Sequence, residues 1–123
     1  MGQWYARPVL FVSDIQSSVD FYVGSLGFSE AWRHEHEGKA LVAQVERSGC
    51  ELILSCQWPD KLGSALIFIS LQPDELRLAR MEFGDQHVSM KEGWWGYPVI
   101  IVEDPDGNKL YFPFGEGNVS DGN

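Results

Sequence analysis

The hydrophobic positions of this chain change period several times between Arg7 and Phe114, and each change marks an element. "RPVLFVSD" (7–14) is an apolar run that stops at Asp14, a residue suited to cap a helix N-terminus. Ile15, Val19, Tyr22 and Leu26 then recur at helical spacing, and Gly27 stands where a C′ glycine belongs. Three strand-like segments follow, "FSEAWRHEHE", "KALVAQVE" and "CELILSC", with turns predicted at 37–39 and 47–49. "QWPDKLG" is a polar connector. "SALIFISL" reads as a strand, and "QPDELRLARMEF" as a helix with Pro73 near its start and Leu76, Ala79, Arg80 and Phe83 on one stripe. "QHVSMKE", "YPVIIVE" and "KLYFPF" are the last strands, the final two joined by an Asp-Gly-Asn turn after Pro105.

The order is β-α-β-β-β, twice. The helix starts read at Asp14 and Asp74 lie 60 residues apart in a chain of 123, which points to a duplicated module. The fold class predicted is α+β: two βαβββ modules, each a curved, mostly antiparallel sheet with one helix, about 5–57 and 63–114. A helix on the convex side of each sheet leaves a concave face, and two such faces enclose a cleft. Residues 1–114 make one domain in this reading, and 115–123, "EGNVSDGN" with its flanking residue, is expected to be a flexible tail.

Composition narrows the partners. Nine basic against eighteen acidic residues give a formal charge of −9, which opposes a nucleic-acid partner and is compatible with a cationic ligand. No apolar run is long enough to cross a bilayer, and the first residues lack the apolar core of a signal peptide, so the expected address is the cytoplasm. Cys50 and Cys56, six residues apart on one strand, would be separated by roughly 20 Å, beyond disulfide reach. They are expected to be free, buried thiols.

"RPVLFVSDIQSSVDFYVGSLGFSE" together with "WWGYPVIIVEDPDGNKLYF" resembles the vicinal-oxygen-chelate superfamily, the glyoxalase, bleomycin-resistance and extradiol-dioxygenase group. Within it the chain looks most like the bleomycin-resistance proteins, in its "PVL" entry to the first strand, its length and acidity, and Trp95-Gly96 with Asp104 nine positions after the Trp. Enzymes of the superfamily hold a divalent metal with four cleft-facing side chains. The resemblance places those positions at Arg7, Ile53, roughly Ala65, and Tyr111. Arg offers no acceptor, and Ile and Ala offer no donor atom, so no metal, cofactor or catalytic residue is expected.

The resemblance therefore implies non-catalytic binding and sequestration of a small, planar, cationic molecule, a bleomycin-type antibiotic being the family's candidate, by a homodimer. Trp95 and Trp32 are the stacking residues in this reading, with Trp94, Tyr111, Arg7, Ile53, His34 and His36 around them. Adjacent Trp94 and Trp95 point to opposite sides in extended backbone, and Trp95 holds the family spacing. His34 and His36 share a strand face as a groove wall, since a zinc site would lack its remaining ligands. Arg7 is expected to pair internally with Glu51, the alternative being an anion clamp. Pro8 fits the hinge from which N-terminal arms are exchanged between subunits, its alternative being a plain edge-strand proline. Two other functions stay open: a metal-independent enzyme recruiting Arg7, Tyr111 or the His34/His36 pair, and a ligand-responsive or structural partner protein.

Overall fold

The computed structural model of the protein describes residues 2–84, 88–92 and 98–113. Strand β1 (Val9–Phe11) leads into helix α1 (Ile15–Gly24), followed by β2 (Ser29–His36), β3 (Lys39–Arg47) and β4 (Cys50–Ser55). A short 3-10 turn at Pro59–Lys61 precedes β5 (Leu66–Phe68), α2 (Pro73–Phe83), β6 (Val88–Glu92), β7 (Pro98–Glu103) and β8 (Lys109–Pro113). The strands form two sheets of four, ordered β1-β4-β3-β2 and β5-β8-β7-β6. In each, the first strand runs parallel to the last and the other pairs are antiparallel. The duplication expected from the sequence is thus present in the topology. The predicted tail lies outside the described residues.

Asp14 caps α1 as expected, its carboxylate accepting the Ser17 amide at 2.9 Å. That hydrogen bond holds the Asp14 carboxyl below its ordinary pKa. The helix ends earlier than the pattern predicts, at Gly24 with Ser25 as C-cap. Gly27 closes the following loop instead. It adopts φ 76°, and a Cβ there would meet Arg47 Nη1 at 2.7 Å. The second helix is capped by Gln72 rather than Asp74. The Gln72 side chain accepts from the N3 amide while the Glu75 carboxylate accepts from the Gln72 amide, a reciprocal capping box with Pro73 at the first turn. Its buried stripe is Leu76, Ala79 and Phe83, with Arg80 only half-buried, because a guanidinium at the core edge keeps its head in water.

One apolar core runs through both modules. Leu10, Tyr22, Leu26, Ala43, Val45, Leu52 and Leu54 from the first join Ile100, Val102, Leu110 and Phe112 from the second. Alternation puts the even-numbered Leu52 and Leu54 on this side and leaves Ile53 facing away. Cys50 and Cys56 are free, as expected, but half-buried rather than buried. The reason is position: they sit at the start and just past the end of β4, where cover is thinner. Cys56 Sγ lies 3.6 Å from the Ala40 carbonyl it donates to.

The modules are tied by the turn 104–108, "DPDGN". Asp104 and Asn108 are both buried. Asp104 Oδ1 accepts the Asp106 and Asn108 amides, each at 2.9 Å, which shapes the turn. Asp104 Oδ2 accepts from the Tyr22 hydroxyl of α1 and from Asn108 Nδ2, also at 2.9 Å. Asn108 Nδ2 donates further to the Phe11 carbonyl at 3.0 Å, and its Oδ1 accepts the Ala65 amide at 3.0 Å. The Phe11 carbonyl also accepts the Gly63 amide at 3.1 Å. Gly63 must be glycine: with φ 70°, an added Cβ would lie 2.0 Å from the Asp106 carbonyl oxygen.

Burial, and then the neighbouring Asp104 charge, push the Tyr22 hydroxyl far above the ordinary tyrosine value. A raised folded-state pKa means that the contribution of Tyr22 is complete below about pH 10, where unfolded tyrosine is also protonated, and declines above it. Tyr22→Phe is therefore expected to lower unfolding free energy by about 1.5–3 kcal/mol at pH 8, with the gap to the parent narrowing above pH 10. Asn108→Ala, which removes bonds to three segments, is expected to cost about 3 kcal/mol or more. Urea unfolding at pH 8 and in the alkaline range checks both. A Tyr22→Phe gap that widens with pH would refute the assignment.

Candidate functional site

The sheet faces opposite the helices carry two equivalent rows of side chains. In the first module, register places Val9, Ile53, Gln44 and Trp32 side by side across β1, β4, β3 and β2. The counterpart row in the second module is Phe68, Tyr111, Ile101 and Ser89, across β5, β8, β7 and β6. Cross-strand neighbours on one face are the units by which a sheet presents a surface.

The first row is organised by Gln44, a buried polar residue in an otherwise apolar strand. Its carbonyl oxygen accepts from Arg7 Nη1 at 2.8 Å and from the Trp32 indole nitrogen at 3.2 Å. Its amide donates to the Glu46 carboxylate at 3.3 Å. Pinning the indole nitrogen fixes the ring while 42% of Trp32 stays exposed. Arg7 in turn lies over the Tyr5 ring, 5.7 Å from its centroid. The expected Arg7–Glu51 pair does not form, because Arg7 is exposed in the segment before β1 and its charge needs no buried partner.

One step along the strands, a second row holds Phe11, Ser55, Val42 and His34. Trp58 packs edge-on against Phe11, with centroids 5.8 Å apart and 45% of the residue exposed. His34 thus stands beside Trp32 on the open side. His36 follows on the same side: the register shift after His34 skips Leu41 on β3, while His34, Glu35 and His36 pair consecutively, so β2 keeps its alternation. The two imidazoles share that face of β2, and His36 Nε2 lies 3.5 Å from the Glu37 carboxylate at the hairpin end. A β-bulge of this kind bends the strand that carries the extra residue and leaves the facing strand regular.

In the second module Tyr111 is half-buried against Phe68, ring centroids 5.5 Å apart. Phe68 and Leu66 are each 45% exposed. Register also corrects one position. If Val9 corresponds to Phe68, then Arg7 corresponds to Leu66, not Ala65, which is packed against the core. Leu66 offers no donor atom either. With that change the positions singled out by the resemblance are Arg7, Ile53, Leu66 and Tyr111. Trp94 and Trp95 lie outside the described residues. Gln44, Tyr5, Phe11, Trp58 and Phe68 are additions to the expected site. A glutamine within "KALVAQVE", at the parity opposite Ala43 and Val45, was the available signal for the first.

A duplicated βαβββ unit with open-face rows at these strand positions defines a class of fold, and sequence comparison identifies it. The model of the Glyoxalase/Bleomycin resistance protein/Dioxygenase superfamily matches residues 4–112, so the chain belongs to that superfamily. Among solved structures it is similar to the bleomycin-binding protein from bleomycin-producing Streptomyces verticillus complexed with copper(II)-bleomycin. Identity there is 28%, 94% of this chain and 100% of that one are covered, and the TM-score is 0.65. It is similar in fold to TnmS3, an antibiotic binding protein from Streptomyces sp. CB03234 (22% identity, 93% and 98% coverage, TM-score 0.69). The bleomycin resistance determinant encoded on the transposon Tn5 is comparable (21% identity, 93% and 99% coverage, TM-score 0.69). No curated protein matches the sequence.

Gln44→Leu removes the acceptor that Arg7 and Trp32 share. It is expected to lower stability by about 1–2 kcal/mol in urea unfolding and to raise the solvent exposure of Trp32, read by acrylamide quenching in a variant lacking the other tryptophans. Unchanged stability and quenching would deny Gln44 its organising role.

Proposed function

We propose that this protein binds and sequesters a small, planar, cationic molecule of the bleomycin type, as a homodimer, without transforming it. The observation that carries the reading is the Trp32 indole, fixed through its nitrogen by Gln44 while its ring stays open to solvent. A rigid, exposed aromatic plane is suited to stack on a heteroaromatic or cationic group at little entropic cost. His34 and the Phe11–Trp58 pair extend the same face. Trp95 is assigned to the platform on its spacing to Asp104, with Trp94 beside it, and Tyr111 with Phe68 forms the counterpart surface of the second module.

Three further points support the reading. The formal charge of −9 raises the encounter rate of a cation. Arg7, Ile53, Leu66 and Tyr111 cannot supply a set of metal ligands, which fits holding rather than transforming. Relatives of this fold are antibiotic-binding proteins. The dimer is proposed because Val9, Trp58, Leu66 and Phe68 leave apolar surface open on the sheet side, with Pro8 as the hinge of an exchanged arm. Free cysteines are consistent with a reducing, cytoplasmic setting.

Titration with metal-free or copper-loaded bleomycin is expected to quench tryptophan fluorescence saturably, at one ligand per subunit. Trp32→Ala is expected to weaken binding about tenfold, the loss of one aromatic contact of about 1–1.5 kcal/mol. No quenching with ligand well in excess of protein rejects the proposal, and undiminished binding by Trp32→Ala rejects the platform.

A further inference from the structure

Where the two modules meet on the side away from the open rows lies a cavity of about 290 Å³. Both modules wall it. Phe28 comes from the loop after α1, and Ile69, Leu71, Ala79, Phe83 and Phe112 from the second module. Phe83 and Phe112 are in tilted contact, with centroids 5.5 Å apart. The Cys50 side chain completes the wall. Trp32, Gln44, Ile53 and Tyr111 take no part in it.

The mouth is charged and asymmetric. Glu75 and Glu82, two turns apart on one face of α2, flank it together with Arg47. Arg47 is already committed: Nη1 donates to the Leu26 carbonyl at 2.7 Å and Nη2 to the Glu82 carboxylate at 2.8 Å. Glu75 has only the Gln72 amide as its hydrogen-bond partner among the described residues, at 3.2 Å. Two carboxylates against one occupied guanidinium leave the rim net negative.

We propose that this cavity is a second ligand site, for a small organic ammonium ion carrying one aromatic ring. Its volume lies at the lower end of ligand pockets, enough for a ring and a short arm. The ring packs among Phe28, Phe83 and Phe112, in the offset and edge-on arrangements aromatics prefer. The ammonium sits at the rim beside Glu75, which offers a carboxylate oxygen without breaking the Arg47–Glu82 pair. A carboxylate or phosphate head in that place would meet two like charges, so the rim selects against anions. The site is independent of the open-face reading and stands or falls apart from it.

The probe is 2-phenylethylammonium, titrated into the full chain and followed by 15N–1H NMR, with 3-phenylpropionate and 3-phenyl-1-propanol as anionic and neutral counterparts. Saturable shifts are expected at Cys50, Leu71 and Phe83, with the anion binding about tenfold more weakly than the ammonium. Glu75→Gln keeps an oxygen for the Gln72 amide, so the helix cap survives while the charge is lost. It is expected to weaken the ammonium about threefold to fivefold and leave the alcohol unchanged. Absence of saturable shifts around the cavity overturns the proposal. So do shifts confined to the Trp32–Gln44 face, an anion bound as tightly as the ammonium, or an ammonium affinity indifferent to Glu75→Gln.

Discussion

The structure depends on a buried carboxylate and a buried amide at one turn. Asp104 accepts two backbone amides, the Tyr22 hydroxyl and the Asn108 side chain, while Asn108 reaches the Phe11 carbonyl and the Ala65 amide. A charge taken out of water is costly unless its acceptor positions are filled, and here four donors fill them. Those donors come from α1 and from the turn itself, while Asn108 engages the end of β1 and the entry to β5. A motif that terminates one hairpin thereby sets the relation between two modules. The network and the common core share Tyr22, which packs its ring in the core while its hydroxyl engages Asp104.

The duplicated rows show how one scaffold has acquired two different faces. The two sheets keep the same strand order, yet the aromatic groups stand at opposite ends: Trp32 on β2 in the first row, Phe68 and Tyr111 on β5 and β8 in the second. The first face is polar beneath and aromatic above, because Gln44 anchors both Arg7 and Trp32. The second is mostly apolar, with the hydroxyls of Tyr111 and Ser89 as its polar groups. Divergence of this sort requires only side-chain replacement on the open face, since the core face carries the packing constraint.

Much of the architecture was legible in the chain because it rests on local physics. Periodicity located the strands and helices, Asp14 announced its helix, and the repeated order announced the duplication. Two things were not legible. The N-cap fell to Gln72 rather than Asp74 because a reciprocal box with Glu75 outweighed the shorter side chain. Arg7 bonded to Gln44 rather than Glu51, since partners across strands depend on register and on how exposed the charge is. At the site, the aromatic Trp32 was readable as a candidate, but its anchor was not. A glutamine of the right parity becomes an organiser only when two donors from distant segments converge on one oxygen.

The doubly used Phe11 carbonyl has a consequence for the chain as a heritable unit. It accepts from Gly63, on the link between modules, and from Asn108, near the far end of the second. Neither half of the chain contains both sides of that joint. The halves complement each other at this joint, and an opening of the chain at the exposed Pro59–Lys61 turn would leave two fragments each carrying the other's missing hydrogen-bond partner. Duplication here has ended in interdependence, with the covalent link itself less constrained than the contacts that flank it.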